Sequence, residues 1–220
     1  MRTIRWLLAA GFLLGAVLDA HVAVASAWTD ANCDGGARSM TTWKRSQAIA
    51  YVQPPLLEGY ELGGGCFRLN DRDDTPSLPA DGGGEGADCS GFVFRVWALK
   101  NDGSNGFRFW DHDKEMHGPY ATFHYYDPSG ETPFRQISKS FTATMPMDAF
   151  VWYRGSDDKH IALLYSQSTT SDLMIHAHNN TVGVEISEEI YRQYPDVKAI
   201  SRRAWTLECY PKCPGTGTLR

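Results

Sequence analysis

The chain has 220 residues, 42% hydrophobic and 21% charged, a composition that suits one folded domain with a sizeable core. Its formal net charge is −5, and no window of Lys or Arg overrides that balance. A nucleic-acid-binding surface would need a basic face or stripe, so that class of function is disfavoured.

The N-terminus reads as a targeting segment. Arg2 and Arg5 precede an apolar run, Trp6–Leu18, and Ala25-Ser26-Ala27 supplies a small-residue cleavage pattern. We therefore expect a signal peptide over residues 1–27, cleaved after Ala27, and a secreted or periplasmic protein spanning 28–220 as a single domain. The apolar run falls short of the ~20 residues that a membrane-spanning helix needs, so no stable membrane insertion is expected after cleavage. In such a compartment cysteines tend to pair, and there are five: Cys33, Cys66, Cys89, Cys209 and Cys213. Cys209 and Cys213 can close a small loop, and Cys33 and Cys66 can tie down the N-terminal segment. Four cysteines allow three connectivities, so the pairing stays open. Cys89 is the natural odd one out, because its surroundings differ from those of the other four.

In chain order, Ser39–Gln53 is expected as a helix. Ser39 would be its N-cap, Trp43, Ile49 and Val52 its apolar stripe, and Pro54-Pro55 its end. Residues 59–88 are rich in Gly, Asp and Pro and read as a long loop. Residues 89–100, CSGFVFRVWALK, read as a helix apolar nearly all round and hence buried. It would be broken by Asn101–Gly106. A weakly patterned aromatic stretch runs on to about Phe141. Strand signals then dominate: 148–154, 160–165, 173–178 and 181–187, with Asn179-Asn180 as a tight turn between the last two. A short helix over 187–194 and a last strand over 202–208 close the domain. Helices first and antiparallel strands afterwards predict an α+β fold.

The stretch GADCSGFV raises the question of reactivity. Asp88 suits the N-cap, and Cys89 then falls in the first helical turn, where the helix dipole and unpaired N–H groups favour a thiolate. The same N–H groups could meet a developing oxyanion. The plainer reading is a small buried hydrophobe; the unpaired count and the open, glycine-rich approach weigh against it. A nucleophilic cysteine wants an imidazole oriented by a third group. His112, His117 and His124 lie in the irregular stretch, where no rigid element is expected to hold them. His160 opens a strand, and His176 lies in its expected hairpin partner, sharing a face with His178.

Four segments in order resemble the NlpC/p-sixty family of cell-wall cysteine peptidases: GYELGG (59–64), DCSGFV (88–93), MPMDAFVWY (145–153) with KHIALLY (159–165), and LMIHAH (173–178). The resemblance covers most of residues 40–205. It implies a papain-like core with the nucleophile helix packed on an antiparallel sheet. It implies Cys89 as nucleophile, His160 as base and His176 as the residue that orients the imidazole. Tyr60 matches the tyrosine near the oxyanion, while Asp88 and Ser90 match substrate-binding positions. No metal and no cofactor is implied. The substrate would be peptidoglycan stem peptides, most often cut between γ-D-glutamyl and the diamino acid, by a monomer. Met147 stands where the family pattern has glycine, a departure expected to matter little. Two insertions, around 65–87 and 101–145, leave the substrate open. The alternatives are an exported amidase toxin, an acyl-transfer enzyme on another amide, a non-catalytic wall-binding module of the same fold, or a disulfide-stabilised structural protein.

Overall fold

The computed structural model describes residues 42–52, 60, 62–66, 86–99, 117–179 and 181–207. The expected signal peptide, Ser39, Cys33, Cys209, Cys213, His112 and most of both insertions lie outside the described residues. So does the expected proline stop at 54–55.

Helix α1 (Arg45–Val52) opens where the Gln47 side chain accepts the Lys44 N–H at 3.0 Å, satisfying a donor that the helix start would leave unpaired. Two two-residue strands, β1 (Gly65–Cys66) and β2 (Gly86–Ala87), pair antiparallel and deliver the chain to α2 (Cys89–Val96). Every residue of α2 is buried, as its all-round apolarity predicts. It ends earlier than expected: Ala98 takes a left-handed φ of 47°, with Ala98 N–H donating to Arg95 and Leu99 N–H to Phe94. That is a Schellman stop, built on alanine where glycine is usual.

A one-turn helix α3 (Thr122–Tyr126) and strand β3 (Phe134–Ile137) occupy the aromatic stretch in which no element was expected. They form because the Tyr125 and Phe134 rings stack at 4.5 Å and Trp97 packs edge-on against Tyr125. The remaining strands are β4 (Ala149–Tyr153), β5 (Lys159–Ser166), β6 (Asp172–Asn179), β7 (Gly183–Glu189) and β8 (Lys198–Arg202). They form a six-stranded antiparallel sheet in the order β3-β8-β4-β5-β6-β7. The fold is α+β, mixed helix and antiparallel sheet. Among the described residues no helix is long and apolar enough to cross a membrane.

Three expectations shift. The β6–β7 turn runs through Val182, because Asn179 Oδ1 accepts the N–H groups of Thr181 and Val182 and Gly183 adopts φ 63°. The strand expected at 181–187 therefore starts at Gly183. Ser187–Glu189 extend that strand instead of opening a helix, and only a 3-10 turn, Tyr191–Gln193, remains of it. The last strand is Lys198–Arg202, which fits between β3 and β4, while Trp205 bridges to Trp43.

Alternation sorts the sheet into two packed faces. Ala149, Val151, Ile161, Leu163, Ile175 and Ala177 pack with the helices, α2 lying across β5 and β6. Phe150, Ala162, Leu164 and Met174 pack on the other face with Tyr191 and Val197. The position of α2 over β5 and β6 sets where Cys89 meets the strand that carries His160.

Candidate active site

Asp88 organises the start of α2. Its Oδ1 accepts the N–H groups of Ser90 (2.9 Å) and Gly91 (2.8 Å), as an N-cap should, and also the Ser90 hydroxyl. Its Oδ2 accepts the Gly63 N–H at 3.0 Å, and its own N–H donates to the Gly64 carbonyl at 2.9 Å. The glycine-rich segment expected from GYELGG is thereby clamped to the helix. The contact is so close that a Cβ on Gly91 would lie 2.1 Å from the Gly64 oxygen.

His117 closes this cluster, although nothing in its sequence neighbourhood marks it. The ring lies buried, with Nε2 2.9 Å from the Ser90 hydroxyl and 3.1 Å from Asp88 Oδ1, and Nδ1 2.8 Å from the Gly118 carbonyl. Burial alone would raise the Asp88 carboxyl, but His117 and the surrounding N–H donors outweigh it and hold the carboxyl below its usual range. Burial likewise opposes charge on His117, and Asp88 beside it raises the imidazole overall. The two form a buried ion pair that anchors α2 to the segment leading into α3. His124 is also held, accepting the Ala121 N–H at 3.0 Å and capping α3. The expectation that no rigid element would hold these two histidines is thus corrected. The one cue available was that a buried Asp88 requires a cationic partner somewhere in the chain.

Cys89 is a free thiol, buried at 6% exposure. Its sulfur lies 3.7 Å from the Thr122 hydroxyl and is near enough to the Ile161 N–H of β5 for that donor to act on it. Burial, and then the Asp88 carboxylate, push the thiol up to about 12, so the sulfur rests protonated. Two of the donors expected for an oxyanion, Ser90 N–H and Gly91 N–H, are already taken by Asp88. Tyr60 is close enough to Cys89 and Asp88 for their charges to act on it. Burial first, and those charges next, raise its hydroxyl and keep it a neutral donor.

The sulfur touches β5 one residue past His160. The His160 ring itself bonds through Nε2 to His176 Nδ1 at 2.6 Å, and lies 5.1 Å from the Trp152 ring. It shares strand parity with Ala162 and Leu164, and among the described residues no hydrogen bond joins it to Cys89. His176 Nε2 continues to the Ser187 hydroxyl at 2.9 Å, and that hydroxyl donates to Glu189 at 2.8 Å. Burial, then the charges of His176 and His178, hold His160 well below the usual imidazole range. Burial and His178 push His176 down to about 3. Both rings rest neutral, so a proton donated by His160 Nε2 to His176, and by His176 to Ser187, gives a consistent chain from His160 to Glu189.

The structure therefore brings together Tyr60, Asp88, Ser90 and Cys89 around the start of α2. It brings His160 and His176 together on the sheet, but among the described residues it joins neither ring to Cys89. His176, His178 and Glu185 offer ligand atoms within 4.8 Å of one another and could hold a metal ion. Comparison of the chain with family models, with curated proteins and with solved structures finds no match.

Proposed function

We propose that the protein is a cysteine-dependent amide hydrolase with an NlpC-type, papain-like core, acting outside the cytoplasm on peptidoglycan stem peptides. One observation carries the reading: a free thiol at a capped helix start reaches the strand that carries a hydrogen-bonded His160–His176 pair. The order of the four resembling segments supports the substrate class, with the γ-D-glutamyl–diamino acid bond as the expected cut.

Because thiol and imidazole both rest neutral, the mechanism is general-base attack rather than a preformed ion pair. As the S–C bond forms, the thiol proton passes to His160, whose ring must first leave its place beside His176 on the face of β5 turned away from α2. The oxyanion is met by the Cys89 N–H and the Tyr60 hydroxyl, the Ser90 and Gly91 donors being committed to Asp88. His160 then gives the proton to the leaving amine as the C–N bond breaks. Water, deprotonated by His160, hydrolyses the thioester and restores the thiol. His176 acts before that movement, by fixing the His160 tautomer whose other nitrogen is free to accept.

A second reading, a wall-peptide-binding module without catalysis, is favoured by the burial of Cys89 and the lack of a resting bond to His160. Digestion of purified peptidoglycan by the wild type and Cys89→Ala, with mass spectrometry of the products, separates the two. New muropeptide fragments from the wild type alone are expected. Binding without new fragments from either protein would favour the module, and equal activity of the mutant would remove Cys89 from the mechanism.

A further inference from the structure

The imidazole cluster on β6 contains more than the hydrolytic reading uses. His176 and His178 stand two residues apart on one strand and so share a face, and the β6–β7 register sets Glu185 directly across from His176. The two rings stack with centroids 4.7 Å apart. His178 Nδ1 is hydrogen-bonded to Glu185 Oε1, and His176 Nε2 lies 3.9 Å from that same oxygen. Access is graded: the His176 side chain is fully buried, while those of Glu185 and His178 are 28% and 39% exposed. An ion can therefore enter from solvent past His178 and stop against His176.

We propose that His176 Nε2, His178 and Glu185 form a binding site for a borderline divalent transition-metal ion, with Zn²⁺ as the fitting probe and a fourth position open to solvent. Two imidazole nitrogens and one carboxylate oxygen are a set that zinc accepts, while Ca²⁺ and Mg²⁺ prefer all-oxygen surroundings. Tetrahedral ligand atoms around zinc sit about 3.3 Å apart, as follows from bond lengths near 2 Å. Closing from within 4.8 Å thus asks for side-chain rotation on two already paired strands, not a backbone change.

The surroundings also suit a ligand histidine. A metal-bound imidazole usually donates its other N–H to a fixed acceptor, and His176 Nδ1 lies 2.6 Å from His160 Nε2. An ion on Nε2 displaces the Ser187 hydroxyl and fixes the ring proton on Nδ1. The bond to His160 then runs with His176 as donor, opposite to the polarity that the hydrolytic mechanism requires. On that reading of the activity, the occupied site switches His160 off as a base.

The test is calorimetric titration of the full, untagged and chelator-stripped chain with Zn²⁺, paired with Co²⁺ absorption spectra. Saturable binding of a single ion is expected, with visible bands of tetrahedral cobalt and no thiolate-to-cobalt charge transfer in the near ultraviolet. His178→Ala and Glu185→Gln should each weaken binding by about tenfold or more. The glutamine variant keeps the shape of the site, and unchanged melting of either variant without metal verifies the fold. Binding that does not saturate, that survives both substitutions, or that carries a thiolate band would overturn the site. None of these readouts needs turnover, so failure of the metal site and failure of the hydrolytic reading are separate results.

Discussion

At Met147 the backbone turns left-handed, with φ 69°, while the side chain is fully buried, and the two demands pull the choice of residue in opposite directions. Met145-Pro146-Met147-Asp148 form a tight turn closed by the Asp148 N–H on the Met145 carbonyl at 2.9 Å. Proline at the second position and a positive φ at the third describe a type II turn, which explains why glycine suits the third position. Methionine here is not the minor departure that its place in the motif suggests. Its carbonyl accepts the Trp97 indole N–H at 2.7 Å, and its side chain fills the core beneath α2. A left-handed L-residue costs roughly 1–2 kcal/mol. Truncating a buried methionine costs about 2–5 kcal/mol. On the central values packing outweighs strain, so Met147→Gly should be less stable than the wild type by about 2 kcal/mol, within a range of about 0–4 kcal/mol. Urea denaturation reads this directly, and a glycine variant of equal or greater stability would show that strain governs the turn.

Helix α2 shows where local pattern suffices and where it fails. Its burial, its Asp88 cap and the place of Cys89 in its first turn were legible because each depends on residues within one or two turns of each other. The runs that became β4, β5 and β6 were legible for the same reason. β3 and α3 were not, because their support is a ring cluster formed by Tyr120, Tyr125 and Phe134 with Trp97 from the end of α2, residues whose spacing follows neither a helix nor a strand period. Glu185 was hidden for a different reason. A two-residue turn at Asn179-Asn180 would have set another residue across from His176, and only the Asn179 side-chain bonds and Gly183 lengthen the turn enough to bring Glu185 there. The seat of α2 carries its own prediction. With the Gly64 oxygen 2.1 Å from where a Cβ would stand, Gly91→Ala must push the 62–65 segment off the helix. Overpacking of that kind costs about 1–3 kcal/mol or more. It should also loosen the Gly63 bond to Asp88, so Cys89 should alkylate with iodoacetamide faster than in the wild type. An alanine variant with unchanged melting and unchanged alkylation would mean that the loop yields freely.

At the scale of the molecule, the sheet supplies a rigid floor and, among the described residues, two buried ion pairs fasten the helices above it. Arg45 binds Asp148 at 2.7 Å and lies over the Trp205 ring, tying α1 to the start of β4. Asp88 and His117 do the same for α2 and the approach to α3. The second pair makes stability depend on pH in a definite direction. The Asp88 carboxyl is depressed in the folded protein, so its contribution is present above the unfolded carboxyl value, about 3.9, and fades as pH falls further. The His117 imidazole is raised, so its contribution is complete below the unfolded value, about 6.5, and is lost as pH climbs through the folded value. Both are therefore fully expressed between roughly pH 4 and 6.5. His117→Asn keeps a polar side chain beside Ser90 but removes the charge. At pH 5 it should cost about 3 kcal/mol, typical of breaking a buried pair from one side. The deficit should narrow steadily at alkaline pH, where the wild-type imidazole also becomes neutral. Parallel denaturant titrations of the two proteins across this range cancel the groups they share. A deficit that stayed constant from pH 5 to pH 9 would show that His117 supports the site by shape and hydrogen bonding, with no contribution from its charge.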